Sequence, residues 1–265
     1  MSESILDQIL RTKANELAEF QMPAFNREQP AIYSLKKALA RPRHRFGLIA
    51  EIKEASPSKG VFRRDFNAER LAHAYVASGA DAISVLTDRL YFHGSIERLQ
   101  SVRREVRLPI LRKDFIIDER QIEEAYLCGA DAVLLIAGAM DTKQLHQLYA
   151  TVKAFRLEAL VEVHSRQEAE AVLNRFTPEI VGINNRDLKT FRTDLHAIEQ
   201  IRPLIPQSVL IVSESGVQTR ADIQFLQENG ANAALIGETL IRADSPEKKI
   251  EDLYGKVVTR DATLN

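Results

Sequence analysis

Residues 48–60 read Leu-Ile-Ala-Glu-Ile-Lys-Glu-Ala-Ser-Pro-Ser-Lys-Gly. Leu48, Ile49 and Ala50 form an apolar run of the kind that opens a strand buried on both faces. Glu51 and Lys53 flank Ile52, and the two-residue period of a strand points both charges to one side. Ser56-Pro57-Ser58-Lys59-Gly60 then ends the strand in a polar turn whose small residues let a ligand approach the backbone. Taken alone, these residues also describe a surface strand with one charged face. The later strands decide between the two readings, because they end in the same way.

Strand-like runs recur at 48–53, 81–86, 109–113, 131–136, 158–163, 179–183, 208–213 and 232–236. Segments of helical periodicity lie between them, such as Ala68 to Ser78, Glu119 to Leu127 and Arg220 to Asn229. Strand followed by helix, repeated at this spacing, is the signature of parallel βα units. The junctions repeat as well: Gly79-Ala80-Asp81-Ala82, Gly129-Ala130-Asp131-Ala132 and Gly230-Ala231-Asn232-Ala233 each put a helix-ending glycine just before a strand. Such repetition predicts an α/β fold, a closed (β/α)8 TIM barrel. A doubly wound sheet would carry a nucleotide fingerprint near its start, and the chain has neither G-x-G-x-x-G nor a Walker sequence.

Upstream, Ile5, Leu6, Ile9, Leu10 and Leu17 fall at helical spacing, with Ser4 and Asp7 placed as a capping box. Pro23 and Pro30 interrupt, and Ile32 to Ala40 reads as a second short helix that ends at Arg41-Pro42. Arg41, Arg43, His44 and Arg45 read as a solvated connector. The expected organisation is a single domain, 1–265, in which 1–45 is an N-terminal helical extension lying over the barrel.

Composition narrows the partners. A chain of 265 residues with 45% hydrophobic and 28% charged residues is ordinary globular material, and its net charge of -1 gives no general attraction to nucleic acid or anionic membrane. No segment has the apolar length to span a bilayer, and the opening MSESILDQILRTK lacks the apolar core of a signal peptide. The expected setting is cytoplasmic. Cys128 is the single cysteine, and its place at a helix end reads as a small packed core residue rather than a nucleophile. His44, His73, His93, His146, His164 and His196 are scattered without ligand spacing, so no metal is expected.

A barrel of this kind builds its active site at the C-terminal strand ends. Read in order, those ends offer Glu51 and Lys53, Lys113, Glu162, Asn184 with Arg186, and Glu214 with Ser215. Charges interrupting apolar strands need partners or a ligand, because an unpaired buried charge costs several kcal/mol. The competing reading is a fixed ion-pair network that only holds the mouth together. After the seventh and eighth strands stand Ser213-Glu214-Ser215-Gly216 and Ile236-Gly237-Glu238. Small residues at Ser215, Gly216 and Gly237 suit phosphate held by backbone N–H groups, with the Glu238 side chain turned outward. His164 shares the face of Glu162 and reads as structural. Phe92 and Phe115 read equally as caps on an aromatic ligand and as core packing.

Six motifs then carry a resemblance: EIKEASPSKG to Gly60, LRKDFIID at 111–118, LVEVH at 160–164, GINNRDL at 182–188, VSESG at 212–216 and LIGE at 235–238. In this order they closely resemble indole-3-glycerol phosphate synthase, and the likeness runs from Ile5 to about Tyr254. The resemblance implies a (β/α)8 barrel with an N-terminal extension. It implies closure of 1-(2-carboxyphenylamino)-1-deoxyribulose 5-phosphate to indole-3-glycerol phosphate, with loss of carbon dioxide and water, in tryptophan biosynthesis. No metal or organic cofactor is implied. The expected protein is a monomer acting on a small phosphorylated molecule, with other pathway enzymes as candidate partners.

Carried over by position, the resemblance makes Lys113 the general acid of ring closure and Glu162 an acid or base of the later steps. Lys53 would meet the substrate carboxylate, Glu51 and Glu214 would position these groups, and Asn184 would hold a substrate hydroxyl or carboxylate. Ser56, Ser215, Gly216, Gly237 and Glu238 fall where the family grips phosphate, and Arg186 where it frames the site. The expectation for Lys113 is an amine whose pKa is lowered by burial and by Lys53. Glu54 stands where a basic residue is common, but alternation points it away from Glu51 and Lys53. Two alternatives remain: a related phosphosugar isomerase barrel, which would want a cysteine and an aspartate at strand ends, and a phosphate-ligand binder without turnover.

Overall fold

The structure, a computed structural model, describes residues 4–22, 32–187 and 192–257. Pro23, Pro30 and Leu188 lie outside the described residues. Among those described, eight parallel strands close into a barrel: β1 (Gly47–Ile52), β2 (Ala82–Leu86), β3 (Ile110–Lys113), β4 (Ala132–Ile136), β5 (Glu158–Val163), β6 (Ile180–Asn184), β7 (Leu210–Glu214) and β8 (Ala233–Ile236). Each pairs with its neighbours in sequence, and β1 pairs with β8 to complete the ring. The two-residue period sorts the apolar runs into two clusters. Leu48, Ala50, Val133, Leu135 and Val161 face outward onto the helices. Ile49, Leu111, Leu134, Leu160, Val212 and Leu235 fill the interior.

The helices between the strands are α3 (Ala68–Ala77), α4 (Ile96–Glu105), α5 (Glu119–Leu127), α6 (Thr142–Ala154), α7 (Arg166–Leu173), α8 (Ala197–Ile201) and α9 (Arg220–Glu228). Two more, α10 (Glu238–Ile241) and α11 (Pro246–Tyr254), follow β8. Their starts are written in side chains: Asn67, Ser95, Asp118, Asp141, Ser165, Thr219 and Ser245 each accept a first-turn N–H. Each cap is worth about 1 kcal/mol. No described helix is long and apolar enough to cross a membrane.

The repeated Gly-Ala-Asp/Asn-Ala junction works in two parts. Gly79, Gly129 and Gly230 take φ of 89°, 88° and 83°, the left-handed region that lets a helix stop and turn into a strand. The acidic or amide side chain two residues later then caps the foot of the preceding strand. Asp81 accepts from Leu48 N at 2.9 Å, Asp131 from Ile110 N at 2.7 Å and Asn232 from Ile211 N at 2.8 Å.

Two helices precede β1: α1 (Ile5–Ala18), with Ser4 and Asp7 in a reciprocal capping box, and α2 (Leu35–Ala40). They sit at opposite ends of the barrel. Helix α1 reaches the C-terminal mouth, where Ile5, Leu6 and Ile9 line the cavity. Helix α2 plugs the floor: Leu35 and Leu39 are buried against the barrel interior. Asp131 accepts from Tyr33 N at 2.6 Å and Glu158 from Lys36 N at 2.8 Å. The leading segment therefore covers both ends of the barrel, α1 the mouth and α2 the floor. In the basic stretch after α2, Arg41, Arg43 and Arg45 are exposed, as a solvated connector requires, and His44 alone departs from that reading. His44 is buried with its ring 5.0 Å from Tyr254, and Arg43 N donates to Asp81 at 2.7 Å. Both belong to the floor, Arg43 through the junction carboxylate of Asp81 and His44 through the Ser78 carbonyl, 3.0 Å from its Nε2.

Candidate active site

A cavity of about 1050 Å³ opens at the C-terminal ends of the strands, and every residue expected to act on or bind the substrate lines it. Glu51, Lys53, Lys113, Glu162, Asn184 and Glu214 come from β1, β3, β5, β6 and β7 or the residue just beyond. Their register partners confirm one shared inner face: Glu162 lies opposite Gly182 and Ile136, and Asn184 opposite Glu214. Ser56, Arg186, Ser215, Gly216, Gly237, Glu238, Phe92 and Phe115 complete the wall.

The polar floor of the cavity is a charge cluster. Lys113 Nζ stands 3.5 Å from Glu162 Oε2 and 3.4 Å from Glu214 Oε2. Lys53 Nζ pairs with Glu51 Oε1 at 2.5 Å. Asn184 Nδ2 donates to Glu162 Oε1 at 3.2 Å, and the Asn184 side-chain oxygen accepts from Arg186 N at 3.0 Å. Two glycines make room for the acids. A Cβ on Gly182 would fall on Glu214 Oε1, and one on Gly237 would fall on Glu51 Oε1. Gly237 thus makes room for the Glu51 carboxylate, a requirement separate from the phosphate approach expected from the sequence.

Protonation in this cluster follows from its geometry. Burial pushes the Lys113 pKa down, but Glu162, Glu214 and Glu51 together outweigh it and hold the ammonium well above the ordinary lysine value. That reverses the expected depression: Lys53 is occupied by Glu51, and the groups facing Lys113 across the barrel are acids. Glu162 is itself opposed by burial, yet Lys113, His164 and Asn184 keep it ionised, far below the usual carboxylate range. Glu214 goes the other way. Burial and the negative Glu162 raise it to about 8 against the pull of Lys113. One carboxylate of the pair is thus ionised and the other holds a proton near neutral pH.

His164 belongs to this network, which the sequence reading had treated as merely structural. Its Nε2 lies 3.1 Å from Glu162 Oε1 and its Nδ1 lies 3.4 Å from Glu168. Those two acids, working against burial, raise the imidazole to about 10. Cys128 lies elsewhere, as expected: it ends α5, donates to Ala125 O at 3.2 Å, and burial pushes its thiol up to about 11.

The two ends of the cavity differ in chemistry. At one end Ser215 and Gly216 follow β7 with φ of 67° and 93°. A non-glycine residue in this region stores strain of the sort found at functional sites. Glu238 does not turn outward. Its carboxylate meets Lys59 at 3.6 Å, Arg186 at 3.7 Å and Arg242 at 3.0 Å. Lys59, Arg242 and Lys249 were not singled out in the sequence, although Arg242 lies one helical turn beyond Glu238, a spacing that points to pairing. At the other end Phe92 and Phe115 stand with ring centroids 6.1 Å apart, beside Ile5, Leu6, Ile9, Leu134 and Ile136. Phe62, also unforeseen, lies under Arg242 at 4.8 Å and Lys53 at 5.7 Å. Glu54 points away from the site, as alternation required, and pairs with Arg98 at 2.6 Å. Among the described residues no group of three or more His, Cys, Asp and Glu side chains is placed to hold a metal ion.

Known proteins share both the fold and the sequence. The chain resembles a solved 3-hexulose-6-phosphate synthase with a TM-score of 0.63 at 18% identity, over 80% of this chain and 100% of that one, a likeness of fold alone. Much nearer in sequence is the indole-3-glycerol phosphate synthase of Geobacillus kaustophilus (strain HTA426), 49% identical over 95% of this chain and 97% of the relative. The enzyme of the same name from Shouchella clausii (strain KSM-K16) is also 49% identical, over 95% and 98%. The family model for indole-3-glycerol phosphate synthase matches residues 5–253, from the first turn of α1 to the last of α11. With its barrel, both of its leading helices and its whole cavity inside that match, the chain belongs to the indole-3-glycerol phosphate synthase family.

Proposed function

We propose that this chain closes 1-(2-carboxyphenylamino)-1-deoxyribulose 5-phosphate to indole-3-glycerol phosphate, releasing carbon dioxide and water. The observation that carries the reading is the polarity of one cavity: aromatic and aliphatic walls at one end, cations and left-handed backbone at the other, acids and lysines between. The phosphate goes to Ser215, Gly216, Gly237 and Ser56 under Lys59, Arg186 and Arg242. Glu238 holds those cations in place until the phosphate arrives. The aryl ring goes between Phe92, Phe115 and the α1 wall.

Chemistry then falls on the cluster. The aryl carbon bearing the carboxylate attacks the ketone carbon, forming the new C–C bond as the carbonyl electron pair moves to oxygen. Lys113 donates the proton that quenches this alkoxide; a strongly basic oxyanion draws it even from an amine held by acids. Lys53 holds the substrate carboxylate until carbon dioxide leaves and the ring regains aromaticity. Glu214, protonated near neutral pH, and Glu162, ionised, supply the acid and base for dehydration: the hydroxyl departs as water while a proton leaves the neighbouring CH₂. Asn184 orients Glu162, and Glu51 orients Lys53.

Incubating the protein with the deoxyribulose phosphate in excess chelator tests the assignment. Indole absorbance and fluorescence should grow with time at a rate the chelator leaves unchanged. A mixture that stays dark contradicts the activity, and a rate restored by added divalent ion contradicts the cofactor-free chemistry.

A further inference from the structure

We infer that Lys13 is a positioning residue for the aryl half of the substrate, tying the α1 wall of the cavity to the two carboxylates that fix the backbone of Phe92 and Phe115. This rests on the assignment of the apolar end to the ring.

Lys13 is an unusual lysine. It sits on a helix that covers the mouth, yet only 6% of its side chain is exposed. Its Nζ lies 2.9 Å from Asp88 Oδ2, 3.2 Å from Asp114 Oδ1 and 2.9 Å from Glu16. The two aspartates come from different loops, one after β2 and one after β3, and their side chains are 0% and 2% exposed. Each also holds an aromatic residue in place. Asp88 Oδ1 accepts from Tyr91 N at 2.7 Å and Phe92 N at 3.2 Å. Asp114 Oδ1 accepts from Phe115 N at 2.8 Å, and Asp114 directly follows Lys113. Arg112 and Thr87 brace Asp114 from behind at 3.2 Å and 2.6 Å.

Helical spacing gives the tie its purpose. Ile5, Ile9 and Lys13 are four residues apart and share one face, so anchoring Lys13 fixes which face α1 turns to the cavity. Apolar burial alone is a weak guide here, since Ile9 and Leu17 are the only apolar residues of α1 that are fully buried. A greasy helix so lightly held would dock in more than one rotation. A buried ammonium between two fixed carboxylates accepts only one, which is the specificity role an internal ion pair can play at a cost in desolvation. Thr12 adds a second link, its hydroxyl 2.9 Å from the Tyr91 hydroxyl. One lysine thereby couples three pieces of the ring pocket that are distant in sequence.

Lys13→Met keeps the stem and removes the tie. Lys13→Met with Asp88→Asn also removes the stranded charge, while Asn still accepts the Tyr91 and Phe92 N–H groups. In both full-length variants KM for the deoxyribulose phosphate should rise by about tenfold or more while kcat changes far less. Inhibition by inorganic phosphate, which reads the other end of the cavity, should hold. Amide hydrogen exchange in α1 should speed up with or without substrate. Unchanged exchange in the folded double variant would overturn the tie, as would an unchanged KM beside an active parent. Loss of the barrel's circular dichroism in both variants would also overturn it, making Lys13 a keystone of the fold. A parent without turnover contradicts the activity assignment instead, and the exchange experiment still decides the tie.

Discussion

Glu214 and Glu162 are the same side chain on β7 and β5 of one barrel, with β6 between them, and their surroundings give them opposite charge states. Glu162 collects Lys113, His164 and Asn184 as partners, whereas Glu214 has burial and a negative neighbour against a single lysine. This has a consequence for stability. An unfolded glutamate ionises near its ordinary value of 4.5, while folded Glu214 keeps its proton to about 8. Between those values the folded state holds the extra proton, so its contribution is present below 4.5 and is lost as pH rises to 8. Glu214→Gln, a permanent mimic of the neutral acid, should therefore gain stability over the parent, and gain more near pH 8 than at pH 5. Turnover should fall with it, since the acid is gone. Denaturant titrations at the two pH values measure the first effect, and a gain that is equal at both would refute the assigned proton. The direction of the Lys113 shift was not legible in the sequence for a related reason. Strand alternation tells which side chains enter the barrel, but which of them face one another across its axis depends on closure.

Two short helices ahead of β1 show the same limit at the level of elements. Both were legible, down to the Ser4–Asp7 capping box, because cap and periodicity are local. Their destinations were not. Helix α2 goes to the floor because Asp131 and Glu158 present carboxylates to its first N–H groups and the barrel interior needs Leu35 and Leu39 to close it. Helix α1 goes to the mouth because Lys13 meets its aspartates there. Deleting residues 1–22 should leave a folded barrel that binds substrate poorly. Deleting 1–45 should instead uncover the floor and strip several buried apolar side chains, each worth about 2 kcal/mol or more, and yield a chain that is aggregated or unfolded. Circular dichroism with ligand titration separates the two truncations. Equal folding in both would mean that α2 only decorates the barrel.

At the scale of the molecule, the barrel was readable because its rule is repetition. Strand after strand ends an apolar run in a charge or a small residue, and three copies of one junction mark the feet of the strands. The observed strands fall within two residues of the runs read from sequence at each end, and every residue singled out at their tips reaches one cavity. Lys59, Phe62 and Arg242 escaped notice because they lie in loops or just past the short α10, where no period marks which way a side chain points, and Lys249 because it sits on α11, beyond the strand ends that were read for the site. The net charge of -1 likewise hides a local excess of cations at the phosphate end. In the proposed reaction those cations bind the phosphate and take no part in the bond changes. The central claim concerns Lys113, an amine set among Glu162, Glu214 and Glu51 where the proposed oxyanion would form. Lys113→Met keeps the stem and removes the donor, so steady-state kinetics beside direct titration of substrate is the decisive pair of readings. A fall in kcat of about a hundredfold or more, with the dissociation constant nearly unchanged, is the expected result. Weakened binding with kcat intact would contradict it, and would leave Lys113 an anchor for the substrate.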